Sequence, residues 1–247
     1  ELPDAGRATL TVSNTLINKR DRQITGTLHG TITHINNLDE GGTSEGSRRD
    51  FTFSQDIQLE PGASQRISEK LEITNPHLWW PVHVGRQNLY DLAREVITES
   101  GEVSERDTVR FGIRDISGQM EKHGENQMMR YRINGKRILI RGGDWTEAMM
   151  METTREREEV AVRYAKNMNL NTLRLESFWG SDYFFELADK YGILVFNGLN
   201  CCSIWERWEQ WTEHTAEVAV GSLRDQVIRL RNHPCLVQWN LGSDRYP

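Results

Sequence analysis

In a series of short runs within the first 115 residues, apolar residues fall on every second position. From Tyr131 onward they fall in short blocks separated by helical stripes. That change of period restricts the chain to a β-rich half followed by an α/β half. In the first half Ala8, Leu10 and Val12 alternate with polar residues, as do Ile24, Leu28 and Ile32, with Gly26 and Gly30 on the same face. Phe51, Phe53, Ile57 and Leu59 repeat the pattern, Ile67, Leu71 and Ile73 follow it more loosely, and residues 89–97 and 103–113 complete the set. Asn36-Asn37, Gly41-Gly42, Pro61-Gly62 and Ser100-Gly101 supply turns. About seven short strands in about 100 residues predict an immunoglobulin-like β-sandwich, here over residues 1–115 and without a cysteine to staple it.

Residues 116–247 read differently. Asn134-Gly135, flanked by Tyr131-Arg132-Ile133 and Ile138-Leu139-Ile140, is a hairpin turn signal. Thr153 with Glu156 three residues later predicts a capping box, and Val160, Tyr164, Ala165 and Met168 a helical stripe. A strand at 172–175 follows, then a helix opened by Ser181 and stopped at Gly192, and a strand at 193–196. After a Trp-rich segment, Val218, Leu223, Val227 and Leu230 mark a third helix, and Pro234 separates it from a strand at 236–240. This alternation predicts parallel strands joined by right-handed crossovers. Four such strands make either a small open sheet or half of an eight-stranded barrel, which takes ~250 residues when whole.

The formal net charge is −6. No nucleic-acid partner is expected, because binding a phosphate backbone needs a basic face. No apolar run approaches the ~20 residues that span a bilayer, so no membrane partner is expected either. No secretory signal is legible, and because the chain opens on Glu1 rather than Met its true N-terminus is expected upstream. Cys201, Cys202 and Cys235 form neither a disulfide framework nor a zinc spacing and read as small buried hydrophobes. His233 has no second His or acid at ligand spacing, so no metal is expected. Gly142-Gly143 lacks the spacing of a dinucleotide loop, and no cofactor is implied. The charged run from Arg155 to Glu159 reads as a solvated helix face.

The chemistry concentrates at the far end. Arg231-Asn232-His233-Pro234 ends a helix, a short apolar strand follows, and Leu241-Gly242-Ser243-Asp244 brings a carboxylate to the C-terminal end of that strand. Parallel α/β sheets carry their sites at that end. His233 is expected to hydrogen-bond at the helix end. Trp205, Trp208 and Trp211 recur every third residue; they read as one buried helical face or, for Trp205, as an apolar platform for a sugar ring. Trp145 has the same two readings. Trp79 and Trp80 read as sandwich core or as residues between the domains.

Taken in order, several motifs resemble glycoside hydrolase family 2. Leu78-Trp79-Trp80-Pro81 with Gly85 and Leu89-Tyr90 resembles the family's sandwich signature, and Phe111-Gly112-Ile113-Arg114 its junction to the barrel. Asn134-Gly135-Lys136 with Arg141-Gly142 resembles the entry to the first barrel strand. Asn171-Thr172-Leu173-Arg174 and Ala188-Asp189-Lys190-Tyr191-Gly192-Ile193-Leu194 resemble the second strand, second helix and third strand. The stretch from Arg231 to Asp244 resembles the acid/base segment. Ser243-Asp244, where most members have Asn-Glu, and Cys201-Cys202 with Trp205 are similar to the exo-β-glucosaminidase branch.

The resemblance implies a multidomain β and α/β protein: the sandwich, then the first half of a (β/α)8 TIM barrel over residues 116–247. It implies a retaining β-glycosidase acting on a terminal β-linked hexosamine or hexose of an oligo- or polysaccharide, secreted or periplasmic. Asp244 would be its general acid/base. Arg174 would position the catalytic carboxylates. Glu176, Asn200, Trp205, Ser243 and Trp145 are candidate substrate contacts. The nucleophile is expected on a later strand, so the chain is expected to be a fragment, inactive alone, whose partners are the remaining domains of its parent. Two positions depart from the glucosaminidase pattern. Asn200 stands where that branch has a Glu before the Cys pair, and Ala148 stands where it has an acid, with Glu147 and Asp144 shifted nearby. These losses leave a β-mannosidase-like enzyme as the alternative, and a non-catalytic carbohydrate-binding or structural module as a rival of another class.

Overall fold

The computed structural model describes residues 5–35, 50–146, 152–176, 178–198 and 207–241. The chain folds as two compact units, Glu1–His77 with Asn88–Ile113, and Leu78–Gln87 with Arg114–Pro247.

The first unit contains β1 (Arg7–Ile17), β2 (Ile24–Ile35), β3 (Asp50–Leu59), β4 (Ser64–Thr74), β5 (Leu89–Thr98) and β6 (Val103–Phe111). They form two antiparallel sheets, β1-β4 and β3-β2-β5-β6. The alternating residues meet as the period requires: Val12, Leu28, Ile32, Ile67, Ile73 and Tyr90 are buried in one core. Each such side chain contributes roughly 1.5–3 kcal/mol by leaving water. Six strands stand among the described residues rather than about seven, and Asp50–Leu59 is one unbroken strand. Two polar residues occupy inward positions of the pattern. Arg94 on β5 donates from Nη1 to Asn14 Oδ1 on β1 at 2.5 Å and pairs with Asp107 on β6.

The second unit opens with a three-stranded antiparallel sheet of β7 (Ile116–His123), β8 (Asn126–Ile133) and β9 (Lys136–Ile138). Asn134 and Gly135 take the positive φ values that the hairpin turn needs, 48° and 76°. The first hairpin of this sheet was not legible from alternation, since most of β7 is exposed. Next come β10 (Gly142–Thr146), α1 (Arg155–Asn167), β11 (Thr172–Glu176), α2 (Asp182–Tyr191), β12 (Leu194–Gly198), α3 (Glu213–Leu230) and β13 (Leu236–Asn240). The four strands are parallel and lie in sequence order.

Helix ends follow their caps. Ser181 accepts from the Phe184 amide, and Gly192 closes α2 with φ 73°. The cap of α1 is Thr154, whose side chain accepts from Arg157 N, not Thr153. The buried face of α1 also differs from the expected stripe. It carries Glu158, Val162 and Ala165, while Val160, Tyr164 and Met168 are half or more exposed. The cause is polar: Ser181 Oγ donates to Glu158 Oε2 at 2.7 Å, which turns Glu158 toward α2. On α3 the buried residues are Ala219 and Leu230, with Val218 and Val227 exposed.

Trp79 belongs to the second unit, not to the sandwich core. It is fully buried. Its indole N–H donates to the Asp189 carbonyl at 2.9 Å, and its own carbonyl accepts from Asn134 Nδ2 at 2.9 Å. The segment Leu78–Gln87 is thereby tied to both the turn between β8 and β9 and the end of α2.

Candidate active site

The parallel sheet brings one row of side chains together. Asp144 on β10, Arg174 on β11, Phe196 on β12 and Gln238 on β13 are successive cross-strand partners, and such partners share a face. Two residues further toward the C-terminal ends, Thr146 stands beside Glu176, and Gly198 beside Asn240. A Cβ at Gly198 would sit 1.8 Å from the Asn240 carbonyl oxygen, so only glycine permits this approach of β12 to β13.

Arg174 is held between two carboxylates. Its Nη1 lies 3.1 Å from Asp144 Oδ2 and 3.9 Å from Glu176 Oε2. The three groups sum to one negative charge at neutral pH, on a half-buried strand-end surface. Such a surface accepts hydroxyl or ammonium donors and keeps a guanidinium available to orient a further carboxylate. Beside it, Tyr131 on β8 donates its hydroxyl to Gln238 Oε1, and Gln238 Nε2 donates to Asn240 Oδ1 at 2.5 Å. Burial raises the Tyr131 pKa above the ordinary phenol value, so it stays a donor across neutral pH. Tyr131 also packs on Phe196, with ring centroids 5.5 Å apart.

Trp145 is turned away from this row. It pairs with Leu175 on the opposite face of the sheet and packs against Phe178 and Phe184, at 5.4 and 4.8 Å between centroids. The period-two pleat gives it the helix side while Asp144 and Thr146 take the other. Trp208 and Trp211 pack in a tilted arrangement, with centroids 4.7 Å apart and an interplanar angle of 41°. They do so across a 3₁₀ turn, Trp208–Gln210, rather than on an α-helix; a spacing of three is the 3₁₀ period. Ser243, Asp244, Asn200 and Trp205 lie outside the described residues, as do Glu147, Ala148, Cys201 and Cys202.

The strand leading to Ser243-Asp244 is fastened at its start. Asp189, on α2 and 1% exposed, takes His233 Nδ1 at Oδ2, 2.6 Å away, and the Cys235 amide at Oδ1, 3.0 Å away. Arg114 donates to the Pro234 carbonyl at 2.7 Å and to the Leu236 carbonyl at 2.5 Å. Burial pulls the Arg114 pKa down from the ordinary guanidinium value, opposed by Cys235, Asp189 and Asp115. Burial, and then Asp189, push the Cys235 thiol well up, so it is a packed S–H and not a nucleophile. His233 therefore does bond near the helix end, and its side-chain partner is a carboxylate of another helix.

Sequence reasoning missed the working roles of Asp189, Arg114, Tyr131, Gln238 and Asn240. Gln238 and Asn240 carried one signal, two polar residues at alternate positions of an otherwise apolar strand. The others are coupled only by tertiary folding. Among the described residues no group of three or more His, Cys, Asp and Glu side chains gathers in a metal-holding cluster, and no helix is long and apolar enough to cross a membrane.

Comparison with known proteins follows the same division. The family described as glycosyl hydrolases family 2 matches residues 1–114, and its TIM barrel domain matches residues 125–246. An exo-β-D-glucosaminidase of Streptomyces avermitilis is 35% identical over 256 aligned positions, which cover 100% of this chain and 26% of that protein. A mannosylglycoprotein endo-β-mannosidase of Lilium longiflorum is 25% identical, over 70% of this chain and 19% of its own length. Among solved structures, the exo-chitosanase of Amycolatopsis orientalis superposes with a TM-score of 0.80 at 28% identity, over 98% of this chain and 27% of that one. A complex of that exo-chitosanase with PNP-β-D-glucosamine matches equally well. The chain thus spans 19% to 27% of the length of these relatives.

Proposed function

The chain belongs to glycosyl hydrolase family 2, and from that premise we propose that it supplies the acid/base side of a retaining β-glycosidase site. Asp244 is the proton donor. As an acid it protonates the glycosidic oxygen while the bond to the anomeric carbon breaks. As a carboxylate it then takes a proton from the water that releases the sugar. A retaining site needs a second carboxylate ~5–5.5 Å from the first as nucleophile; none of the 247 residues is assigned that part. Arg174, braced by Asp144 and Glu176, orients the reacting carboxylates. Glu176, Asn200, Ser243 and Trp205 contact the sugar. Trp145 acts at one remove, as the aromatic support beneath β10.

One observation carries the reading: Asp144, Arg174 and Gln238 share a row, with Glu176 and Asn240 just above, at the C-terminal ends of parallel strands whose last member runs on to Ser243-Asp244. The proposed substrate is a terminal β-linked glucosaminide, by likeness to the Streptomyces and Amycolatopsis enzymes. Asn200 and Ala148, where the branch has acids, favour a neutral β-mannoside as the second reading, and the Lilium relative is named for that chemistry. By the same likeness we propose a secreted or periplasmic location.

Assay of the intact protein on chitosan oligosaccharides and on β-mannosides separates the readings. Glucosamine release supports the first and mannose release the second. Hydrolysis of neither favours the non-catalytic module.

A further inference from the structure

A second concave surface lies on the β7-β8-β9 sheet, away from the row of Asp144 and Arg174 in sequence and on a different sheet. Its cavity, about 290 Å³, is lined by Ser117, Gln119, Glu121, Arg130, Arg132 and Arg137. The register explains the lining. Ser117 faces Arg132, and Arg132 faces Arg137, so a hydroxyl and two guanidiniums stand in one row across three strands. The next row pairs Gln119 with Arg130, and Glu121 forms an ion pair with Arg130. One arginine is thus neutralised within the sheet. Arg132 donates to the Gly135 carbonyl at 3.1 Å, a neutral partner, and among the described residues neither Arg132 nor Arg137 has an ion-pair partner.

Like charges placed directly opposite each other across two strands destabilise a sheet. In a protein of net charge −6, acidic residues are plentiful, yet among the described residues neither Arg132 nor Arg137 has an acidic cross-strand partner. The Arg132 and Arg137 guanidiniums and the Ser117 hydroxyl line one cavity with the Arg130–Glu121 pair, and their several N–H and O–H donors match a doubly or singly charged oxyanion. We propose that this face of the β7-β8-β9 sheet is an oxyanion-binding site, taking a phosphate or sulfate group or the carboxylate of an acidic saccharide between Arg132 and Arg137. Glu121 bounds the site by occupying Arg130, and Ser117 and Gln119 supply neutral hydrogen bonds.

Thermal unfolding of the intact protein at constant ionic strength tests this, with inorganic phosphate, inorganic sulfate and glucuronate titrated against chloride. A bound anion raises the transition in a saturable way. Saturation by phosphate or sulfate alone identifies a tetrahedral-anion site, and saturation by glucuronate an acidic-saccharide site. Either supports the proposal if Arg132→Gln and Arg137→Gln each weaken the apparent affinity about tenfold, the usual scale for losing a charged hydrogen-bonding partner. Lys122→Gln removes the same charge from β7 but on the alternate face of the pleat, and leaves the response unchanged. In the absence of anion at low ionic strength, Arg137→Gln unfolds at the same temperature as the wild type or higher, because it relieves the like-charged pair. A linear, unsaturated response, or an equal loss in Lys122→Gln, overturns the proposal.

Discussion

Asp189 and His233 meet at 2.6 Å, one on α2 and the other just before β13. The same carboxylate accepts the Cys235 amide at 3.0 Å. With Arg114, which donates to the Pro234 and Leu236 carbonyls, this buried side chain fixes where the last parallel strand, Leu236–Asn240, begins, and Ser243-Asp244 come next in the sequence.

Asp189→Ala leaves the Cys235 amide and the His233 ring without their acceptor in a site that is 1% exposed at Asp189. The expected loss is about 3 kcal/mol, read as a lower urea midpoint for the second unit. His233→Ala is expected to be damaging as well, because it strands a buried carboxylate. Unchanged midpoints in both variants would remove Asp189 from the account.

Trp79 is fully buried and donates to the Asp189 carbonyl. Trp79→Ala is expected to cost about 3–5 kcal/mol, while Trp79→Phe, which keeps most of the volume and loses the N–H, costs less than half of that. Equal losses would mean the hydrogen bond matters more than the packing.

Gly192 has φ 73°, and a Cβ there would approach the Val82 amide nitrogen to 2.5 Å. Gly192→Ala combines a left-handed backbone with a clash against the segment that Trp79 anchors. A destabilisation above about 1–2 kcal/mol is expected, whereas Gly62→Ala, at φ 69° with open space around it, loses only the backbone part. Comparing the two by chemical denaturation isolates the contact with Val82.

His34 on β2 stacks on His77 with ring centroids 4.2 Å apart and packs on Tyr90. Burial, and then the charge of His77, lower the His34 pKa from 6.5, against the opposing hydrogen bond with Asn88. The folded sandwich therefore holds fewer protons here than the unfolded chain. The associated stability is complete above the unfolded value near 6.5 and is lost as pH falls from there through the lowered folded value. His34→Phe keeps the ring stack and removes the titration, so its stability between neutral pH and pH 5 should fall less steeply than that of the wild type. Parallel pH profiles would assign the acid sensitivity elsewhere.

The period change that separates the two halves was legible because both halves bury one face of each element. Leu28 and Ile32 sit in the core as their alternation requires, and Ser181 and Gly192 bound α2 as a cap and a stop. What periodicity could not supply were the polar exceptions. Asn14 occupies an inward position of β1 because Arg94 reaches it from the opposite sheet. Glu158 is buried because Ser181 bonds it, and that displaces the apolar stripe of α1. Trp79 sits within sandwich sequence yet packs in the second unit, since its partners Asp189 and Asn134 are 110 and 55 residues away in the chain. The candidate site divides the same way. Arg174 and Glu176 stand near a strand end, where the sequence placed them, whereas the choice between the two readings of Trp145 was not legible, because the side to which a residue points depends on where its strand begins.

The most direct test of the central claim compares leaving groups in Asp244→Ala. If Asp244 donates the proton, kcat/KM for a glycoside with a sugar leaving group falls by about 10²–10⁴-fold. For a nitrophenyl glycoside of the same sugar, whose leaving group departs with little protonation, the fall is far smaller. Equal losses on both substrates, or full activity on the sugar-linked one, would contradict the assignment of Asp244 as the acid.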